Sequence, residues 1–144
     1  MKNRILIVED EAITALDLRF SLEELGYEVI DTVGTGQDAI DMAAETVPDV
    51  VLMDIKLKGD MEGIDAAKVI SELRIPVVYL TANTDDYTFE RSNIEGSYGF
   101  VPKPYEITKL DKTLKLVIKS QCRFNKVQWK MQSKILRLWK GLKF

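Results

Sequence analysis

The chain has 144 residues, of which 46% are hydrophobic and 30% are charged, and these values are ordinary for a soluble globular protein of one domain with a small appendage. It contains no histidine and a single cysteine, Cys122, which excludes histidine-based catalysis and an internal disulfide and argues against a zinc site. The first apolar run is too short for a signal peptide, and no run is long enough to span a bilayer. We therefore expect a protein of the reducing cytoplasm.

Charge is distributed unevenly along the chain. The net charge is −3, but all 23 acidic residues lie at or before Asp111. Residues 1–111 contain ten basic and 23 acidic side chains, a net charge of −13, whereas residues 112–144 carry +10 with no acid. This asymmetry predicts an acidic domain followed by a basic appendage.

Short apolar runs alternate with segments of helical periodicity, an order that predicts an α/β fold with a parallel sheet. The predicted elements, in chain order, are strand Arg4–Val8, helix Ala12–Leu25, strand Glu28–Thr32, helix Gln37–Glu45, strand Asp49–Met53, helix Ile64–Leu73, a strand opened by Pro76, a short helix Tyr87–Ile94 and strand Tyr98–Val101. Helical spacing in the first helix predicts these core-facing positions: Ala15, Leu18, Leu22 and Leu25.

A last helix begins near Tyr105 and carries a stripe of heptad spacing. The stripe consists of Leu110, Leu114, Val117, Gln121, Phe124, Gln128, Met131, Ile135, Leu138 and Leu142. It predicts a domain over residues 1–120 and a basic amphipathic helical extension over residues 121–144. Three interpretations of the extension stay open: an elongated helix with a solvated basic face, a homodimer formed along the stripe, and a helix that binds an anionic membrane or nucleic acid.

Polar residues follow the carboxyl ends of four predicted strands. They are Glu9 and Asp10 after the first strand, Asp54 after the third, Thr81 after the fourth and Lys103 after the fifth. Ligands of open α/β sheets bind outside the carboxyl ends of the strands, so we expect these side chains to meet at one edge of the sheet.

The expected cluster combines three carboxylates with a hydroxyl and an ammonium group. Neighbouring carboxylates repel unless they share a cation, and Mg²⁺ takes one or two protein carboxylates together with water and phosphate oxygens. An aspartate can also accept a phosphoryl group, by a reaction that depends on positioning and charge neutralisation. In this interpretation Asp54 is the nucleophile, Asp10 and Glu9 hold the metal, and Lys103 and Thr81 contact the incoming phosphate.

The motifs resemble those of the response-regulator receiver domains of two-component signalling, in order and spacing. They are Ile5–Glu11, Val51–Asp54, Tyr79–Ala82 and Lys103–Pro104. The resemblance implies a doubly wound, flavodoxin-like sheet of five parallel strands in the order 2-1-3-4-5. It also implies that a sensor histidine kinase or a phosphotransfer protein phosphorylates Asp54, and that the signal passes on through protein–protein contacts.

The resemblance implies a metal site and its ligands. Mg²⁺ would be bound by Asp10, by Asp54 and by the backbone carbonyl of Lys56, with Glu9 acting through water. The chain departs from the common pattern at Glu9, where aspartate is more usual, and we expect this variant to preserve the site.

The resemblance also assigns roles around the phosphoryl group. Thr81 and Lys103 would contact it, Phe100 would change rotamer on activation, and the bond between Lys103 and Pro104 would be cis. From the residues alone, Phe100 is equally well explained as a core aromatic, and Thr81 as an ordinary residue at a strand end.

Two other classes of function compete with this interpretation. A Mg²⁺-dependent hydrolase of the phospho-aspartate type would need a second aspartate two residues after the nucleophile, and that position holds Lys56. A module that binds partners without phosphorylation would not need the complete set of acids, threonine and lysine. We therefore expect the chain to catalyse its own phosphorylation and dephosphorylation, without turnover of small substrates.

Overall fold

The computed structural model of the chain describes residues 2–57, 59–81, 99–121 and 138. Its strands are β1 (Arg4–Val8), β2 (Glu28–Val33), β3 (Val50–Asp54), β4 (Val77–Thr81) and β5 (Gly99–Pro102). The helices of the described ranges are α1 (Ala12–Glu24), α2 (Gly36–Thr46), α3 (Gly63–Glu72) and α4, which includes residues 107–121. The short helix predicted over Tyr87–Ile94 lies outside the described residues.

The five strands form one parallel sheet of order β2-β1-β3-β4-β5, which confirms the predicted fold class. Every residue of β3 is buried, because a central strand of such a sheet is covered by helices on both faces. This is why its sequence shows an unbroken apolar run instead of an alternation. No helix in the described part of the chain is both long and apolar enough to cross a membrane.

Two hydrophobic cores lie on opposite faces of the sheet. The first joins the sheet to α1 and α4, and the second joins it to α2 and α3. Leu18 and Leu22 of α1 are fully buried, but Leu25 is 41% exposed, so its predicted core position is wrong. The reason is local: α1 ends at Glu24, and the chain then turns at Gly26 with a φ of +95°.

In the part of α4 that is described, the first positions of the heptad stripe pack against the domain itself. Leu110, Leu114 and Val117 are buried in the first core, so they pack against their own domain. Gln121 is also buried, and its Nε2 donates a hydrogen bond to the carbonyl oxygen of Arg74 at 2.9 Å. The described part of α4 therefore packs on the domain as far as Gln121. Of the later stripe positions only Leu138 is described, as helical and exposed.

A tyrosine–aspartate hydrogen bond attaches α4 to the sheet at the edge opposite the polar cluster. The hydroxyl of Tyr27 donates to Oδ1 of Asp111 at 2.6 Å, and Lys115 donates to the other oxygen of that carboxylate at 2.9 Å. Burial, helped by Asp111, raises the pKa of Tyr27, and the hydrogen bond from Tyr27 lowers the pKa of Asp111. A neutral phenol and a charged carboxylate therefore face each other at ordinary pH.

We predict that Tyr27→Phe lowers the free energy of unfolding by about 1.5–3 kcal/mol, because it removes a hydrogen bond to a charged acceptor. The raised pKa of Tyr27 adds stability that is present below its ordinary pKa of 10.0 and is lost as the pH rises above it. The lowered pKa of Asp111 adds stability that is present above 3.8 and is lost as the pH falls below it. Urea unfolding of the wild type and of Tyr27→Phe, measured from acid to alkaline pH, should give a difference in free energy of unfolding that is constant near neutral pH and shrinks at low and at high pH. If that difference stays the same at low and high pH, a bond between a neutral Tyr27 and a charged Asp111 is contradicted.

Candidate functional site

The polar cluster lies at the carboxyl edge of the sheet, where the strands end and the loops begin. Glu9 and Asp10 lie between β1 and α1, Asp54 is the last residue of β3, and Lys103 directly follows β5. The backbone N–H of Glu9 donates to the carbonyl oxygen of Val33 at 2.9 Å, which ties this loop to the end of β2. Parallel strands thus bring residues from three separate parts of the chain to one place.

Lys103 connects two of the carboxylates. Its Nζ lies 2.7 Å from Oε2 of Glu9 and 3.0 Å from Oδ2 of Asp54. Asp10 completes the group, since one carboxylate oxygen from each of Glu9, Asp10 and Asp54 lies within 4.8 Å of the others. The structure therefore brings together four of the residues that the sequence placed in the site.

The cluster is mostly shielded from solvent, and its electrostatics follow from that. The side chains of Glu9, Asp54 and Lys103 are 1%, 13% and 20% exposed, so water screens their charges weakly. Burial raises the pKa of Glu9, although the hydrogen bond from Lys103 acts in the opposite direction. Burial would lower the pKa of Lys103, but its two carboxylate partners outweigh that effect and raise it. Lys103 is therefore a permanent cation between two acids.

The donor set fits a hard divalent cation. Its ligands are carboxylate oxygens, with neither thiolate nor imidazole, and oxygen ligands are what Mg²⁺ prefers. Two oxygens that bind one Mg²⁺ are at most about 4.2 Å apart, because each lies about 2.1 Å from the ion. The observed grouping within 4.8 Å is close to that limit, so small side-chain rotations would suffice. One lysine cannot balance three carboxylates, which also favours a bound cation.

The backbone around Asp54 is fixed by two contacts. The N–H of Lys56 donates to Oδ1 of Asp54 at 3.2 Å, and the N–H of Gly63 donates to the carbonyl oxygen of Ile55 at 2.9 Å. A Cβ on Gly63 would overlap the carbonyl oxygen of Asp54. Only glycine can therefore begin α3 this close to the end of β3.

The structure places the other predicted site residues, Thr81, Phe100 and Pro104, on or after the last two strands of the sheet. Thr81 is the last residue of β4 and pairs with Pro102 in the sheet, while its side chain lies outside the described residues. Phe100 is partly buried and packs against the second core. The bond between Lys103 and Pro104 is cis, as the resemblance implies.

One contact beside the site has no counterpart among the sequence predictions. The hydroxyl of Tyr105 donates to Oδ2 of Asp17 at 3.2 Å, which connects the loop after β5 to α1. The two residues are 88 positions apart, so no local pattern could reveal the contact. The only signal available was that Tyr105 lies two residues after Lys103.

Comparison with known proteins agrees with this fold. Residues 5–115 match the response regulator receiver domain family. The chain is 40% identical over 116 residues to the transcriptional regulatory protein PdtaR of Mycobacterium tuberculosis, covering 80% of this chain and 56% of that protein. It is 36% identical over 115 residues to the regulatory protein LuxO of Vibrio vulnificus, covering 78% of this chain and 25% of that protein.

Solved structures show the same likeness. The signal receiver domain of a modulated diguanylate cyclase from Desulfovibrio desulfuricans has a TM-score of 0.79 at 30% identity, covering 84% of this chain and 97% of that one. The receiver domain of the sensor histidine kinase PA1611 from Pseudomonas aeruginosa has a TM-score of 0.75 at 28% identity, covering 83% and 99%. That receiver domain was solved with a magnesium ion coordinated in its active site cleft.

The chain belongs to the response regulator receiver domain family of two-component systems. Receiver domains of this family bind Mg²⁺ at an acidic site and interact with histidine kinases or phosphotransfer proteins, and Glu9, Asp10 and Asp54 form such an acidic cluster here. The chain spans about half or less of the length of the curated relatives described above.

We predict that Gly63→Ala destabilises the fold by about 1–3 kcal/mol, since the new Cβ forces β3 and α3 apart. Gly34→Ala is the matched control. Gly34 also lies at this edge, beside Asp10, but a Cβ there meets its nearest atom at an ordinary 3.6 Å. Thermal or urea unfolding should separate the two variants, with Gly34→Ala close to wild type. If Gly63→Ala and Gly34→Ala are equally stable, the close approach of α3 to the end of β3 is contradicted.

Proposed function

We propose that this receiver domain accepts a phosphoryl group on Asp54, from a sensor histidine kinase or a phosphotransfer protein, and relays the signal through protein–protein contacts. The observation that carries the proposal is the position of Lys103, whose Nζ lies within hydrogen-bond distance of both Glu9 and Asp54. A cation held beside a nucleophilic carboxylate neutralises the charge of an incoming phosphoryl group.

The proposed reaction is a transfer between two nucleophiles. An oxygen of Asp54 attacks the phosphorus, the bond from phosphorus to the donor's histidine nitrogen breaks, and an acyl phosphate forms on Asp54. The nitrogen keeps the electron pair of the broken bond and is protonated by solvent. Water then attacks the phosphorus of the acyl phosphate, the bond from phosphorus to the Asp54 oxygen breaks, and inorganic phosphate leaves as the carboxylate is restored.

The other residues have distinct tasks in this proposal. Mg²⁺, bound through Asp10, Asp54 and the backbone carbonyl of Lys56, with Glu9 acting through water, would supply charge neutralisation for the phosphoryl oxygens. The N–H of Lys56 already donates to Asp54, which places that backbone beside the acceptor. Lys103 exchanges its contact with Asp54 for one with a phosphoryl oxygen, while its ion pair with Glu9 holds it in place.

Signal output is proposed to begin next to the acceptor. Thr81 ends the strand beside β3, so its hydroxyl is assigned to a phosphoryl oxygen. Phe100 is assigned a change of rotamer on phosphorylation, which its partial burial at the edge of the second core supports. Pro104 is assigned to the same switch because it adjoins Lys103.

An exposed apolar stripe on α1 supports the choice of a protein as the phosphoryl donor. Ile13, Leu16 and Phe20 are 85%, 53% and 58% exposed, and their spacing places them on one face of the helix. The stripe begins three residues after Asp10, so a protein that covers it would lie over the acidic cluster. A small phosphate ester would not need such a surface.

The basic segment after Gln121 is proposed as a separate extension. Because the first stripe positions of α4 are used by its own core, a homodimer through this helix, or contact with an anionic membrane or nucleic acid, would depend on residues 122–144. Truncation after Gln121 is predicted to leave Mg²⁺ affinity unchanged and to alter either sedimentation or binding to anionic liposomes or DNA. If none of these changes, the extension has no binding role. If Mg²⁺ affinity falls, the extension is not separate from the domain.

The phosphoryl acceptor is tested by mass spectrometry after incubation with acetyl phosphate and Mg²⁺. The wild-type chain should gain one phosphoryl group, and Asp54→Asn should gain none because an amide oxygen is a poor nucleophile. Asp111→Asn is the control, since that carboxylate accepts hydrogen bonds from Tyr27 and Lys115 and belongs to neither the acidic cluster nor the Lys103 contacts. Chelation of Mg²⁺ should prevent labelling of every variant. Labelling of Asp54→Asn equal to that of wild type would refute the proposal.

A further inference from the structure

We propose that Tyr105 and Asp17 are positioning residues for phosphoryl transfer, and that their hydrogen bond holds Lys103 in line with Asp54. The inference rests on the function proposed above. The observation behind it is that two contacts join the same two segments of chain: Lys103 to Glu9, and Tyr105 to Asp17. The first contact involves the reactive ammonium group of Lys103, and the second involves Tyr105, which is separated from Lys103 in sequence by Pro104 alone.

Lys103 has to reach Asp54 across an intervening strand. Asp54 ends β3 and Lys103 follows β5, with β4 between them. Neighbouring strands are about 4.8 Å apart, so the side chains of Lys103 and Asp54 must together span about two strand spacings. A shift of the loop after β5 away from β3 would therefore take Nζ out of hydrogen-bond range of Asp54.

The loop after β5 is kept in place by contacts of Tyr105. Residues 103–106 join β5 to α4 and belong to neither, so strand pairing and helix packing fix them only at their ends. Within this loop, the ring of Tyr105 packs against the first core, and its hydroxyl donates to Oδ2 of Asp17 on α1. The helix α1 in turn begins two residues after Asp10, so it fixes both loops of the site relative to each other.

Lys103 loses one of its two ion pairs during the proposed reaction. Before transfer, Lys103 is held by both Glu9 and Asp54. In the proposed mechanism the phosphoryl group replaces the contact with Asp54, so one of the two ion pairs that locate the lysine is given up. The bond from Tyr105 to Asp17 does not involve any reacting atom and can therefore persist throughout.

The donor in this bond keeps its proton at working pH. Burial, with the nearby charge of Asp17, raises the pKa of Tyr105 to about 12. A cleft of about 480 Å³ lies beside the bond, lined by Ile13, Thr14, Asp17, Lys103, Pro104 and Tyr105. The cleft leaves room for the loop to shift when the bond is removed, and after transfer Lys103 would then be located by its ion pair with Glu9 alone.

The structure contains its own control for the test. Tyr27 donates to Asp111 at 2.6 Å in a part-buried contact, whereas Tyr105 donates to Asp17 at 3.2 Å in an exposed one. Tyr27→Phe and Tyr105→Phe each remove one hydroxyl that donates to an aspartate. A general loss of stability should slow labelling at least as much in Tyr27→Phe, which removes the shorter bond, whereas a loss of positioning should slow labelling only in Tyr105→Phe.

The experiment measures the rate constant for labelling of the full chain by acetyl phosphate at saturating Mg²⁺. Tyr105→Phe and Asp17→Ala should each slow labelling about threefold to tenfold, and the double variant should be no slower than either, since positioning acts through one bond. Asp17→Asn keeps an acceptor oxygen and should recover most of the rate. Tyr27→Phe should label at the wild-type rate, and Mg²⁺ affinity should be the same in all variants.

Three results would overturn the inference. Tyr105→Phe and Tyr27→Phe could label at equal rates, Asp17→Asn could be as slow as Asp17→Ala, or the effects of Tyr105→Phe and Asp17→Ala could multiply in the double variant. Failure of the wild-type chain to label on Asp54 would contradict the proposed function itself, and this inference with it. If Tyr105→Phe does not fold, the comparison of Asp17→Ala with Asp17→Asn decides the question.

Discussion

The site depends on one cation, the ammonium group of Lys103, held between two carboxylates that would otherwise repel each other. The contacts of 2.7 Å to Glu9 and 3.0 Å to Asp54 lie where water is largely excluded, so both interactions are screened less than a surface pair would be. Burial alone would favour the neutral forms of Glu9 and Lys103. Their mutual contacts keep a charged lysine beside Asp54, the proposed nucleophile, while Oδ1 of Asp54 lies outside these two ion pairs.

The sheet explains why these particular side chains meet. The order β2-β1-β3-β4-β5 places the loop after β1 next to Asp54, but it places the loop after β5 two strands away. The side chains of Lys103 and Asp54 together span that distance, so that Nζ lies 3.0 Å from Oδ2 of Asp54. Glu9 contacts the same ammonium group, with its Oε2 at 2.7 Å from Nζ.

Much of this arrangement could be predicted from the sequence, because it depends on patterns that are local. Unbroken apolar runs identify buried parallel strands, and the polar residue after each run identifies the edge at which ligands bind. The strand order came from the resemblance to receiver domains, since no local pattern in the chain specifies which strands are neighbours. The exposure of Leu25 was missed because helical spacing does not show where α1 ends and the chain turns.

Other features could not be predicted because they depend on contacts between distant parts of the chain. The heptad stripe of α4 has the same spacing whether it packs on a partner or on its own sheet, and only the fold shows that Leu110, Leu114 and Val117 are buried in the first core. The bonds from Tyr27 to Asp111 and from Tyr105 to Asp17 join residues 84 and 88 positions apart. The need for glycine at position 63 arises from the close approach of α3 to β3, which the sequence of either element does not reveal.

The most direct test of the account is the position of a divalent cation in a crystal of the protein grown with Mn²⁺ in place of Mg²⁺. Anomalous scattering would locate the ion independently of any assumption about its ligands. We expect one strong peak at the carboxyl edge of the sheet, within about 2.5 Å of oxygens from both Asp10 and Asp54, with Lys103 still paired with Glu9. A peak elsewhere, or an ion whose ligands exclude Asp54, would contradict the account.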